Sequence, residues 1–385
     1  MVSEKADIIN AGLALDHFID NGASSYARTR NYDLGPTNRS GVSNLSKYIS
    51  HRILFEYDIV QRVLSRHSYQ NAEKFIQEVF WRVYWKGWLE NRPRVWYAFK
   101  NQTRPKMTRE LQSARLGHTG IACFDSWVKE LRDTNYLHNH ARMWFASIWI
   151  FTLKLPWHLG ARFFMEHLYD GDAASNTLSW RWVAGLQTKG KHYVARSSNI
   201  AKYTNNRFPM TQLNENPDAL TEDAEFNLEA DLPAISSPPK FNHLVVFETD
   251  LYLHSGNESY ANYEEVYVVS LETCHRDIEL SERVVNFKNS LLINFSENLR
   301  NSRYVKSEEL IALASSLDGI DVIYPFVGDC LDFISELSAK KNCPVNFIMR
   351  GQDLACWRHA KKGFFNFRKQ IRILISETTS PHFHM

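Results

Sequence analysis

Cysteine is scarce, with five residues at positions 123, 274, 330, 343 and 356 that form no C-x-x-C pair and no zinc-type spacing. A disulfide framework is therefore not indicated, and reduced, cytosolic thiols are expected. No apolar run is long enough to span a bilayer and no secretory leader is recognisable, so a soluble cytoplasmic protein with no membrane partner is expected. Neither a G-x-G-x-x-G nor a Walker sequence occurs, which argues against a standard dinucleotide or ATP loop. The terminal His382-Phe383-His384 reads as a frayed tail rather than a metal site, and no metal is expected.

Aromatic residues are abundant instead. They make up 13% of the chain, and ten of the eleven tryptophans lie between Trp81 and Trp182. The formal charge of +2 conceals an asymmetry: residues 1–200 hold 27 Lys+Arg against 17 Asp+Glu, whereas residues 201–385 hold 18 against 26. A basic first half with clustered aromatics suits a polyanion such as DNA, whose phosphates dominate affinity. At 385 residues the chain exceeds what one core usually serves, so two domains are expected.

Residues 1–203 read as helical. A helix is expected from about Tyr48 to Leu64, another over 69–90, and further aromatic-rich helices over 119–169. Residues 204–242 are acidic, rich in Asn and Pro, and end in Ser236-Ser237-Pro238-Pro239, which reads as a linker. In residues 243–385 the pattern changes. Short apolar runs at Leu244–Phe247, Val266–Ser270, Val322–Tyr324 and Val345–Met349 alternate with helical stretches at Glu282–Arg300, Glu308–Leu317 and Asp329–Lys340. That alternation predicts a small open parallel sheet with helices on both faces. The expected class is α plus α/β, an all-helical domain followed by a Rossmann-like one.

The stretch Asp170-Gly171-Asp172-Ala173-Ala174-Ser175-Asn176 to Trp180-Arg181-Trp182 is unusual for a packing element. Small residues let the backbone approach a large bound group, the carboxylates can pair with an arginine, and Asn176 offers an amide to a ring heteroatom. A helix connection capped by Asp and Ser explains the same residues. Upstream, Ser43 and Ser46 precede a helix and suit either an anion such as a pyrophosphate or plain capping. On the 69–90 helix, Glu78, Trp81, Arg82 and Trp85 share one face, either as a carboxylate partly desolvated among tryptophans or as a solvated Glu78–Arg82 pair.

The 170–182 stretch resembles the flavin-binding signature of the photolyase and cryptochrome family. Four further blocks resemble that family in the same order: Ser43 to Ile49, Glu78-Val79-Phe80-Trp81-Arg82, His138 to Met143, and Trp157 thirteen residues before Asp170. The resemblance implies FAD held by Tyr26, Ser43, Leu45, Ser46, Arg82, Asn139, Arg142, Asp170, Asp172 and Asn176. It implies a pyrimidine dimer met by Glu78, Trp81, Asn139 and Met143, with Trp157 and Trp180 relaying electrons to the flavin. Arg142 is then the partner of Asp170. The family's distal relay tryptophan would fall near Glu110 or Leu111, where none stands, leaving Trp96, Trp85 or Tyr97 as substitutes. Met143 leans toward cyclobutane dimers in UV-damaged DNA, and a monomer is expected.

The run Val245-Val246-Phe247-Glu248-Thr249-Asp250-Leu251-Tyr252-Leu253-His254 is similar to the start of the family's antenna domain, which normally comes first. Here it comes last, as in a circular permutation. Glu248 and Tyr252 stand where the family has basic residues, which leaves a folate or deazaflavin antenna open. The four-cysteine pattern of iron–sulfur photolyases is absent.

Overall fold

The computed structural model describes residues 8–229, 232, 236–253 and 258–378. Helices come first and a sheet second, in the expected order. From Ile8 to Tyr203 every regular element is helical, including a π-helical turn at Ile148–Thr152. The longest, Tyr69–Glu90, begins at an N-cap Ser68 whose hydroxyl accepts from Asn71 N–H at 3.4 Å. Its residues Phe75, Ile76, Val79, Phe80 and Val83 are buried, the three- and four-residue spacing that seats a helix on a core.

The helix expected over 48–64 is two, Ser46–Ile49 and Glu56–Leu64. Between them Arg52 adopts a left-handed φ of 54° and is fully buried. The break turns its guanidinium inward, where it bonds both oxygens of Asp353 at 2.6 Å and Asp250 at 3.0 Å.

No regular element occurs between Tyr203 and His243 among the described residues. Five parallel strands follow: β1 (His243–Phe247), β2 (Glu265–Ser270), β3 (Ser302–Lys306), β4 (Ile320–Ile323) and β5 (Val345–Ile348), in the order β3-β2-β1-β4-β5. Val245 pairs in register with Tyr267 on one side and Val322 on the other. β3 had no expected counterpart; its sequence Ser-Arg-Tyr-Val-Lys is polar and sits at the sheet edge.

The period-two alternation of β1 separates two cores. Val245 and Phe247 face Leu310, Phe333, Ile334 and Leu337 of the outer helices. Leu244 and Val246 instead join one continuous core with the helical part. The last three helices, Gly351–Trp357, Phe364–Arg368 and Ile371–Thr378, belong to that continuous core rather than to the sheet's outer face. Trp357 lies so close to Gly87 that a Cβ there would meet its ring at 2.4 Å.

Strand order reverses between β1 and β4, and the crevice outside their carboxyl ends faces the helical domain. A cavity of ≈ 70 Å³ lies there, lined by His51, Lys86, Glu90, Asp172, Glu248 and Gly328 among others. Among the described residues no helix is long and apolar enough to cross a membrane, and no His/Cys/Asp/Glu group is arranged to hold a metal ion. The His382–His384 tail lies outside the described residues.

Candidate functional site

Asp170 follows the Trp157–His167 helix and is buried. One carboxylate oxygen accepts from Arg142 Nη2 at 3.0 Å, and Arg142 is itself oriented by Nε donating to the Leu137 carbonyl at 2.9 Å. Burial alone would push the carboxyl up, but Arg142 and Arg82, with the Ser46 hydroxyl nearby, hold it below its ordinary value. Its other oxygen, Oδ1, is buried without a hydrogen-bond partner.

Asp172 does two jobs. It is the N-cap of the Ala173–Ala184 helix, accepting from Ser175 N–H at 2.7 Å, and it pairs with Arg82 at 2.9 Å. Arg82 Nε, like Asp170 Oδ1, is buried and unsatisfied. Ser46, Arg82, Arg142, Asp170 and Asp172 thus form one polar cluster, in which Asp170 Oδ1 and Arg82 Nε make no hydrogen bond within the chain. The small residues beside it also serve packing: a Cβ built on Gly328 of the sheet's crevice would lie 3.2 Å from Ala173 Cβ.

Glu78 takes Arg30 as its ion-pair partner rather than Arg82, with side-chain exposures of 30% and 27%. Of the two readings, a partly desolvated carboxylate or a solvated pair with Arg82, the structure has a partly exposed carboxylate paired with Arg30 instead. Tyr26 packs edge-on against Phe75 at 5.4 Å and lies under the same arginine. The Trp81 ring stacks on Phe364, centroids 3.5 Å apart at 12°. Asn139 is exposed at the start of the Asn139–Ser147 helix, and Met143 is half-buried one turn on.

The remaining expected residues lie apart from this cluster or turn inward. Ser43 Oγ sits 3.5 Å from Leu45 N–H across a left-handed Asn44, and Leu45 is buried in the core. Asn176 donates to the Ala161 carbonyl at 2.8 Å, tying two helices together. Trp180 lies over Gly160, where a Cβ would meet its ring at 2.2 Å, and its Nε1 is buried without a partner. Trp157 is 5.7 Å from Phe99, which is 5.6 Å from Trp96. Trp96 is thereby linked to Trp157 through one aromatic ring.

Sequence reasoning did not assign Arg30, Tyr136 or Phe364. Arg30 was signalled only by its four-residue spacing from Tyr26. Tyr136, under the Arg39 guanidinium at 4.2 Å and the Arg142 guanidinium at 5.6 Å, is pushed up to about 12 by burial. Phe364 had no signal, because 283 residues separate it from Trp81.

Residues 75–209 match the family model described as the FAD binding domain of DNA photolyase, a range holding Glu78, Arg82, Arg142, Asp170 and Asp172. Over that range the chain is similar to the FAD-binding domain of DNA photolyases. The chain is 31% identical to a deoxyribodipyrimidine photo-lyase of Streptomyces griseus over 38% of this chain and 33% of the relative. With that of Escherichia coli strain K12 it shares 28% identity over 50% of this chain and 41% of the relative. A solved cryptochrome of Synechocystis sp. PCC6803 aligns at a TM-score of 0.48 and 20% identity, covering 53% of this chain and 44% of that one. The chain spans about a third to two fifths of the length of these curated relatives. The Asp170–Arg142 and Asp172–Arg82 pairs both lie within the matched range.

Proposed function

We propose that the protein is a blue-light-driven DNA repair flavoprotein that splits cyclobutane pyrimidine dimers. The observation that carries this reading is the pair of unsatisfied buried atoms, Asp170 Oδ1 and Arg82 Nε, inside a domain of flavin-binding type. An acceptor beside a guanidinium N–H fits the mixed donor and acceptor edge of a flavin.

FAD would be held by Arg82, Arg142, Asp170 and Asp172, with Tyr26, Ser43, Leu45, Ser46, Asn139 and Asn176 around it. When bound, the reduced cofactor supplies the photoexcited electron that opens the dimer. The chain's own residues do the rest. Asp170 is kept ionised by two arginines and fixes Arg142. Glu78 with Arg30, and Trp81 with Asn139 and Met143, line the face for a dimer flipped out of UV-damaged DNA. Trp180 and Trp157, extended through Phe99 to Trp96, offer a path for re-reduction.

The crevice at the sheet's carboxyl edge holds ≈ 70 Å³, against the roughly 300–1,000 Å³ of small-molecule pockets. Glu248, expected to disturb that interface, is bound there by Arg276 at 2.6 Å and Lys288 at 2.8 Å, and Tyr252 stacks on Phe55 at 4.3 Å. A folate or deazaflavin antenna would have to part these groups, so the flavin alone carries the proposed chemistry.

A second reading, a cryptochrome-like photoreceptor that binds FAD without repair, is favoured by one feature. Phe364 covers a face of Trp81 and Arg30 holds Glu78, so two groups assigned to the lesion already have partners. Blue-light cleavage of a dimer-containing oligonucleotide by the flavin-loaded protein distinguishes the two. Cleavage is expected; photoreduction of the flavin without cleavage would leave the photoreceptor reading standing.

A further inference from the structure

The last helices carry charge that the site above leaves unused. Between Arg358 and Arg372 lie six Lys or Arg residues, and no Asp or Glu occurs from Leu354 to Ser376, although residues 201–385 are acidic as a whole. The segment is two-sided. Phe364, Phe367, Ile371 and Leu374 are buried against the helical core, with Phe367 5.5 Å from Tyr84 and Phe364 on Trp81. The other side bears Arg358, Lys361, Lys362, Arg368, Lys369 and Arg372, all exposed, and Phe365 at 71% exposure with the Arg368 guanidinium 5.4 Å from its ring. Its backbone is pinned beside the 69–90 helix: Tyr84 OH donates to the Lys362 carbonyl at 3.0 Å and Arg92 to that of Lys361 at 2.8 Å.

We propose that the exposed side of residues 358–372 is a contact surface for the phosphate backbone of nucleic acid, running beside Trp81. The acidic half of the chain thus contributes part of the DNA-binding face. Exposed Lys and Arg on a fixed backbone neutralise phosphates and release counterions. Phe365 beside a guanidinium offers a platform on which an unpaired base can stack. A membrane surface fits less well, because insertion needs a broad apolar face and here only Phe365 and the neighbouring Ile373 are exposed, while Phe364, Phe367, Ile371 and Leu374 are turned into the core. The proposal rests on DNA being the partner of the proposed function.

The test uses the full chain and a fluorescein-labelled undamaged oligonucleotide, with affinity measured over a salt series. The variant is Lys361→Ala/Lys362→Ala/Arg368→Ala/Lys369→Ala. Alanine keeps the backbone carbonyls that accept from Tyr84 and Arg92, so flavin content and Tm report whether the fold is intact. Binding should weaken about tenfold or more, and the log–log salt slope should fall by about 2 to 4, close to one per lost phosphate contact. Replacing the three lysines by Arg and keeping Arg368 should preserve both. An unchanged slope in the alanine variant overturns the surface while leaving the repair reading intact. No DNA binding by the wild type overturns both. Loss of binding to phosphatidylserine vesicles, with DNA binding unaffected, overturns it in favour of a lipid surface.

Discussion

Two groups of paired charge flank the 69–90 helix, and they differ in how far they are shut away from solvent. At the junction with the sheet, Arg52 meets Asp250, Asp353 and Glu56, Arg350 grips Asp250 at 2.6 Å, and Lys86 reaches Glu56 at 3.5 Å. Burial would raise the Asp250 carboxyl, yet Arg350 and Arg52 bring it down to about 2. At the Asp170 turn the partners stay part-exposed, Arg82 by 15%, Asp172 by 16% and Arg142 by 22%, against 2% or less for Arg52, Glu56, Asp250 and Asp353. Charges shut away on one another hold a structure together, whereas charges within reach from outside can take a ligand. The first cluster is therefore expected to govern stability and the second ligand content.

The largest effect should come from breaking the closed cluster. Arg52→Met removes the cation shared by three buried carboxylates, leaving Asp250 to Arg350, Glu56 to Lys86 and Asp353 without the guanidinium that binds both its oxygens. Removing one partner of a buried ion pair typically costs about 3–5 kcal/mol, read as a lower midpoint in urea unfolding. Flavin content per folded molecule should stay unchanged. A loss under about 1 kcal/mol would mean that Arg350 and Lys86 suffice and the closure is not structural.

Asp170→Ala tests the open cluster. Leaving Arg142 unpaired should cost on the order of 1–3 kcal/mol, but the flavin recovered with natively purified protein should fall close to zero. Added FAD should raise the wild-type Tm by an amount equivalent to about 2.7 kcal/mol at a hundredfold excess over Kd, and leave the variant unmoved. Flavin retained in Asp170→Ala would erase the distinction between the clusters.

Glu90 sharpens the comparison, since it lies at the junction without an arginine. Burial raises its carboxyl to about 7, even though Tyr324 OH donates at 2.7 Å and Val327 N–H at 2.8 Å. A folded-state value above the unfolded one means the folded protein binds the extra proton. That stability is fully present below the ordinary value of 4.5 and is lost as pH rises to about 7. Glu90→Gln removes the titration, so between pH 5 and 8 the wild type should lose on the order of 1–3 kcal/mol relative to the variant. Parallel stability curves would show that Glu90 is paired like its neighbours.

How much of this was legible in the sequence depended on whether the cause was local. The 69–90 helix, the Asp172 cap and the Arg142–Asp170 pair follow from spacing, caps and motif. The break at Arg52 was hidden, because its reason is a cluster of carboxylates at positions 250 and 353. β3 was hidden because, at the sheet edge, it buries only Val305 and reads as polar. The return of the last helices to the 69–90 helix was hidden because Phe364, Phe367, Ile371 and Leu374 carry a helical stripe that does not say which core it enters. Arg82 stands four residues from Glu78 and was the partner in one of its two readings, whereas Arg30 is 48 residues away. Distance along the chain favours local pairs, and the fold chose the distant one because Asp172 had already claimed Arg82.

The smallest effect on stability, and the most selective, should come from Glu78→Ala. Its pair with Arg30 is about one third exposed on both sides, and such pairs contribute within about 1 kcal/mol, so the urea midpoint should hardly move. Glu78 belongs to neither buried cluster, so flavin content should not move either. What should fall is the yield of dimer cleavage per absorbed photon, because Arg30 is left without its carboxylate on the face assigned to the lesion. Loss of flavin in this variant would put Glu78 with Asp170 among the cofactor's ligands. Unchanged cleavage would mean that the Arg30–Glu78 pair only fastens the Tyr26–Thr29 helix to the 69–90 helix, and that lesion recognition lies with Asn139 and Met143.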